Sequence, residues 1–232
     1  MGLSTQIRIG SRAVLDVFYP NPCLLCKQSL NNAELHVCLK CANNLPYVHN
    51  SDRTEKMLQQ IFWGRVDVEQ VYTLFNYQKG NQVQDLLHHL KYKQKLKVGV
   101  HFGQVLGSAI NDVDDLSMII PVPLHPKKQR QRGYNQSALI AQGIRQSLQI
   151  PVKENYIIRN TYTLSQTKFS KYDRWNNVRQ IFTVNKPKKL TNKHVLLVDD
   201  VLTTGATLEA CANALLQVEN CRVSIATLAA RI

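Results

Sequence analysis

Apolar residues recur along the chain in two rhythms. Short runs rich in β-branched and aromatic residues alternate with stretches in which apolar positions return every three or four residues. The first rhythm predicts strands over 66–77, 117–122, 195–199 and 222–228. The second predicts a helix after Gly80 carrying Val83, Leu86, Leu87 and Leu90, and another carrying Phe102, Val105, Leu106 and Ile110. Further helices are expected over 134–148 and 208–216, and residues 7–18 show apolar positions at helical spacing with Arg8 and Arg12 between them. That leading segment could touch a membrane, but packing against the module that follows it is the preferred assignment. Strands alternating with helices imply a largely parallel sheet. With 232 residues the chain has room for one α/β domain plus a small module. No run approaches the roughly 20 apolar residues needed to span a bilayer.

Two Cys-x2-Cys pairs, Cys23/Cys26 and Cys38/Cys41, stand eleven residues apart. That spacing lets four thiolates close a tetrahedron around zinc, and it reads as a zinc ribbon over 1–50 with its leading helix. Disulfides are the competing reading, but the sequence shows no charged-then-apolar export signal, and Cys211 and Cys221 fall in core-like segments. With four cysteines filling the coordination sphere, a structural role is expected, and His36 is read as a loop residue. A polar connector over 51–65 then leads to the main domain, 66–232. Within it the adjacent His88 and His89 point in different directions on a helix, so at least one is expected at the surface.

Residues 195–207 read Val-Leu-Leu-Val-Asp-Asp-Val-Leu-Thr-Thr-Gly-Ala-Thr. An apolar strand ends in two acids, and a small hydroxyl-rich turn enters a helix. Ligands in open α/β sheets lie beyond the carboxyl ends of the strands, where a helix N-terminus offers free N–H groups to an anion. Thr203, Thr204, Gly205, Ala206 and Thr207 would form a phosphate cradle. Asp199 and Asp200, acceptors when ionised, suit sugar hydroxyls or a hydrated divalent cation. The order and spacing closely resemble the phosphoribosyl pyrophosphate motif of type I phosphoribosyltransferases, with Ala206 where many relatives carry a second glycine.

Charge sharpens the picture. The net charge is +13, and between Lys127 and Lys193 fifteen basic residues face only two acids, while elsewhere the signs balance. Such a stretch suits a polyanion or a strongly anionic small ligand; a solvated surface is the plain alternative. Within it, 120–136 place a proline-stiffened turn and a cationic loop before a helix, so that Lys127, Lys128, Arg130 and Arg132 can meet a pyrophosphate or a nucleic-acid backbone. Residues 166–182 mix cations with aromatics, a combination that holds phosphates and stacks bases. Lys171 and Arg174 are ligand candidates there, whereas Val178, Ile181 and Phe182 are assigned to the core as one face of a short helix.

The paired Cys-x2-Cys motifs, Leu90-Lys-Tyr-Lys, Pro121-Val-Pro-Leu-His, Arg132-Gly-Tyr-Asn-Gln, the 166–182 segment and Asp199-Asp200 together resemble the ComF family over nearly the whole chain. The resemblance implies a type I phosphoribosyltransferase-like α/β fold, with a mainly parallel sheet flanked by helices and an N-terminal zinc ribbon. It implies a cytoplasmic competence protein that supports natural transformation, handling single-stranded DNA and binding phosphoribosyl pyrophosphate with magnesium. Asp199 and Asp200 would then bind the ribose hydroxyls and Thr203 to Thr207 the 5-phosphate, with the loop from Pro121 to Arg132 facing pyrophosphate. An active transferase of unknown acceptor is one alternative, with Asp199 and Asp200 as its catalytic acids. A zinc-ribbon module docking proteins of the DNA-uptake machinery is another. Base salvage needs a hood over the nucleobase, and no aromatic follows Phe182.

Overall fold

The computed structural model describes residues 22–49, 52–92, 96–111, 114–160 and 181–232. The expectations for the leading segment 7–18 and for Lys171, Arg174 and Val178 lie outside these residues. The chain divides into two compact units between Leu45 and Pro46.

The first unit holds the cysteines in two turns and a short helix α1 (Leu39–Asn43). Cys23, Cys38 and Cys41 are buried along with Leu24, Val37 and Leu45. His36 sits in the intervening turn, half-buried, with a positive φ of 66°.

The second unit is built on four parallel strands in the order β1-β6-β5-β2, where β1 is Val71–Asn76, β2 Leu116–Pro121, β5 His194–Leu202 and β6 Arg222–Ala230. Val195 through Val198 and nearly all of β6 are buried, as expected of strands covered on both faces. The edge of β1 is covered by the segment leading into it: the Val48 N–H donates to the Leu74 carbonyl and the Asn76 N–H to the Pro46 carbonyl. Helices α2 (Asp52–Gln60), α3 (Gln82–Tyr92), α4 (Leu96–Ser108), α5 (Pro126–Arg132), α6 (Gln136–Leu148) and α7 (Ala206–Leu216) complete the order. A small antiparallel pair, β3 (Ile157–Arg159) with β4 (Phe182–Val184), lies outside the main sheet. Among the described residues no helix is long and apolar enough to cross a membrane.

Several sequence expectations change. The strand predicted over 66–77 starts only at Val71, and its residues are buried on both faces rather than alternating. Residues 51–65, expected as a connector, contain α2, whose Leu58 is buried in the core together with Phe62 of the turn that follows. The cationic loop after β2 is itself helical: His125 caps α5, its Nδ1 accepting from the Lys127 N–H at 3.2 Å, and Gly133 ends it at φ 79°. Phe182 is buried as expected, but it opens β4 instead of riding a helix. Of the two adjacent histidines, His89 is buried and His88 exposed.

Helices α4 and α6 cross at nearly backbone contact. A Cβ on Gly143 would stand 2.1 Å from the Val100 carbonyl oxygen, and one on Gly103 would stand 2.3 Å from that of Ile140. Both obstructions are backbone, so no rotamer change relieves them. Because α6 also carries residues of the site described below, this crossing fixes their distance from the sheet. Gly143→Ala should cost on the order of 3 kcal/mol by overpacking, read as a lower midpoint in urea denaturation. At the opposite end of the sheet, Asp115 accepts from His194 Nδ1 (2.7 Å) and from Arg222 (2.6 Å). The bond to His194 and then that to Arg222 hold its carboxyl below the usual range. A folded pKa below the unfolded one adds stability above the unfolded value of about 4, and that stability is lost as pH falls through the folded value. The urea midpoints of the native chain and Asp115→Asn should therefore differ above that pH and converge in stronger acid.

Candidate functional site

Strand β5 does not end at its acids but runs through them to Leu202, which sets both carboxylates in the rim of a cleft. Asp199 is held from α6: the Ser137 hydroxyl donates to its Oδ1 at 2.7 Å, and the Asp200 N–H donates to the same oxygen at 2.9 Å. Asp200 is buried and faces α3, where Lys91 Nζ lies 2.9 Å from its Oδ2. Burial, and then the neighbouring Asp200 charge, push the Asp199 carboxyl up to about 7, against the opposing pull of Ser137. An acid pair of this kind, Asp200 buried and Asp199 half-buried, needs cations or donors nearby, and the cleft supplies them.

Lys128 and Arg132 on α5, Arg159 at the end of β3, and Thr207 in the first turn of α7 join the two acids in lining the cleft. Helical geometry sorts the four cations of α5. Lys128 and Arg132, four apart, face the cleft, while Lys127 and Arg130 are exposed and outside its lining. Arg132 also donates to Gln136 Oε1 at 3.1 Å. Asn135 ties this corner together: its side chain caps α6 by accepting from the Ser137 N–H (3.1 Å) and donates to the Val122 carbonyl (2.9 Å) at the end of β2.

The small-residue turn after β5 behaves as its composition predicts. Gly205 takes φ 76° and ψ −6° as the N-cap of α7, a conformation that larger residues avoid. Thr203, Thr204, Ala206 and Thr207 are exposed beside it, and of these Thr207 reaches the cleft lining. The turn is braced from behind. Phe62 lies 3.1 Å from where a Gly205 Cβ would stand, and Arg65 donates to the Thr204 carbonyl at 2.9 Å while pairing with Glu209. Arg65, Ser137 and Arg159 carry no sequence signal of their own; Lys91 appears in the sequence only within the Leu90-Lys-Tyr-Lys motif. Chain separations of 139 residues for Arg65 to Thr204 and 62 for Ser137 to Asp199 explain why local pattern missed them.

In the first unit the four cysteine sulfurs all lie within 4.8 Å of one another, with Cys26 and Cys38 Sγ 3.7 Å apart. Four sulfurs at the usual Zn–S distance of about 2.3 Å would be spaced by about 3.8 Å, so the cluster could hold a metal such as zinc. Burial disfavours a Cys23 thiolate, but the amides of Cys26, Cys38 and Leu25 outweigh it and bring the thiol down to about 6. Burial and the surrounding sulfurs raise Cys41 to about 12. A dication resolves that conflict by favouring all four thiolates together.

Residues 135–232 match the family of the phosphoribosyl transferase domain. The chain is similar to Competence protein F of Haemophilus influenzae, 33% identical over 53% of this chain; the match spans 57% of that relative, little more than half its length. It is also similar to the DNA utilization protein YhgH of Escherichia coli, 25% identical over 85% of this chain and 92% of that protein. Competence protein ComFC of Bacillus subtilis is 24% identical over 84% of this chain and 78% of its own. Elemental analysis of the purified protein should find one zinc per chain, and Cys41→Ser should lower that content sharply; an unchanged zinc content would refute four-cysteine ligation.

Proposed function

The chain is a ComF-family, phosphoribosyltransferase-like protein, and we propose that it binds phosphoribosyl pyrophosphate with magnesium in the β5 cleft and single-stranded DNA on its basic face. In this reading it works in the cytoplasm in support of natural transformation, and the cysteine unit is a zinc ribbon. The observation that carries it is the convergence, on one cleft, of the Asp199–Asp200 pair, the cations Lys128, Arg132 and Arg159, and the Thr207 turn at a helix N-terminus. Carboxylates accept from ribose hydroxyls, guanidinium and ammonium groups meet pyrophosphate, and free N–H groups at the start of α7 meet the 5-phosphate. Magnesium, when bound, would neutralise pyrophosphate charge, with Asp199 and Asp200 as the oxygen donors suited to it.

The exposed cations of α5 have a different task. Lys127 and Arg130, exposed and outside the cleft lining, can contact a phosphate backbone, whose counterions are released on binding. One helix thereby serves the small ligand with one face and the polymer with the other.

Calorimetric titration of phosphoribosyl pyrophosphate with magnesium into the zinc-loaded protein should give saturable binding that Asp199→Asn/Asp200→Asn removes. Lys128→Gln/Arg132→Gln should weaken that binding roughly ten-fold, about 1.4 kcal/mol. Lys127→Gln/Arg130→Gln should leave it intact yet reduce affinity for a single-stranded oligonucleotide and flatten its salt dependence. A folded native protein that takes up no phosphoribosyl pyrophosphate would refute the small-ligand half of the reading. Equal effects of both pairs on both ligands would refute the division between faces.

A further inference from the structure

Helix α2 is amphipathic in an unusual sense. Its buried side inserts Leu58 into the core, and the chain continues into Phe62 behind the phosphate turn. Its outward side carries Arg53, Lys56, Met57 and Gln60, all exposed. At 100° per residue these four fall within a stripe about 100° wide that contains no acid. Met57, an apolar side chain, is 42% exposed on this stripe.

The helix runs directly into the turn Ile61 to Arg65, at whose tip Trp63 is 63% exposed, the second most exposed large apolar residue among those described. The turn is clamped on both sides of Trp63. Phe62 packs on Gly205, and Arg65 holds the Thr204 carbonyl and Glu209. The indole is thus presented to solvent from a rigid base next to the candidate phosphate cradle. Isolated exposed hydrophobics need no explanation, but a tryptophan on a clamped turn, continuous with an acid-free cationic stripe, is a recognisable surface.

We propose that the outward face of α2 and Trp63 form a track for single-stranded nucleic acid, in which a base stacks on Trp63 and the backbone lies along Arg53 and Lys56. The chemistry fits one occupant. A flat indole stacks on any base, and nearby cations meet the phosphates without reading sequence. The inference rests on the reading that the chain handles single-stranded DNA, but it places contacts on an element that the basic 127–193 stretch does not include. The track also lies next to the cradle, so polymer and small ligand would approach the turn after β5 from adjoining sides.

Trp63 and Trp175 are the two tryptophans, so Trp175→Phe leaves Trp63 as the sole indole reporter. A thymidine oligomer titrated into that full-length, zinc-loaded protein should quench Trp63 emission as it saturates. In the same background, Trp63→Ala should weaken binding roughly ten-fold while Trp63→Phe stays near the parent. Arg53→Gln/Lys56→Gln should lower the slope of log affinity against log salt by about one. Saturable binding detected by anisotropy without quenching, and with unchanged affinity in Trp63→Ala, would overturn the track while leaving DNA binding elsewhere intact. Failure of the native protein to bind the oligomer at all would overturn the track and the DNA reading together.

Discussion

Two adjacent carboxylates, one buried and one half-buried, cannot stand within an apolar strand unless the surroundings are built around them, and much of the second unit can be understood from that requirement. Removing such charges from water costs several kcal/mol each unless partners replace the lost hydration. Ser137 comes to Asp199 from α6, and Lys91 comes to Asp200 from α3. Each helix must therefore be held at a set distance from β5. The glycine crossing of α4 on α6 and the Asn135 cap do this for α6, and Lys91 does it by charge for α3. The compensation is incomplete, since Asp199 keeps a raised affinity for its proton. A site so poised has unspent capacity to hold hydroxyls or a cation, which is the property expected of a ligand site rather than of a structural ion pair.

The turn read as a phosphate cradle obeys a second constraint, rigidity. Backbone N–H groups bind an anion well only if they are already aimed at it, because ordering a loose loop would consume the interaction energy. Gly205 supplies the left-handed conformation, and Phe62 and Arg65 lock the turn from an element far away in sequence. That brace links α2, the Trp63 tip and the cradle into one body. The same clamp that organises the candidate cradle thereby leaves an indole projecting beside it.

The cysteine unit follows different physics. Among the described residues its buried apolar side chains beside the cysteines are Leu24, Val37 and Leu45, and so few contribute little by burial alone. Four sulfurs at near-tetrahedral spacing make up the deficit when a metal binds, since ligation contributes on the order of 10 kcal/mol to such folds. The two units would thus draw on different sources of stability, a buried parallel sheet in one and, when a metal is bound, coordination in the other.

Sequence alone determined those features whose physical cause is local. The four cysteines, the acid pair, the left-handed glycine and the helical and strand rhythms each depend on residues within a few positions, so their spacing carries the information. The main strands and the helices after Gly80 and at 134–148 were legible for that reason. Tertiary structure decided whatever depends on contacts distant along the chain. The three-residue strands β3 and β4 are too short to have a period, and α2 was hidden because its polar outward stripe outnumbers its buried Leu58. Arg65, Ser137 and Arg159 are ordinary in sequence and acquire a role only when folding brings them to β5 or its turn. The four cations of α5 were visible as a cluster, but the division between Lys128/Arg132 and Lys127/Arg130 arose from helical geometry and its docking on the sheet. Local pattern names the chemical groups, whereas packing decides which of them share a cleft.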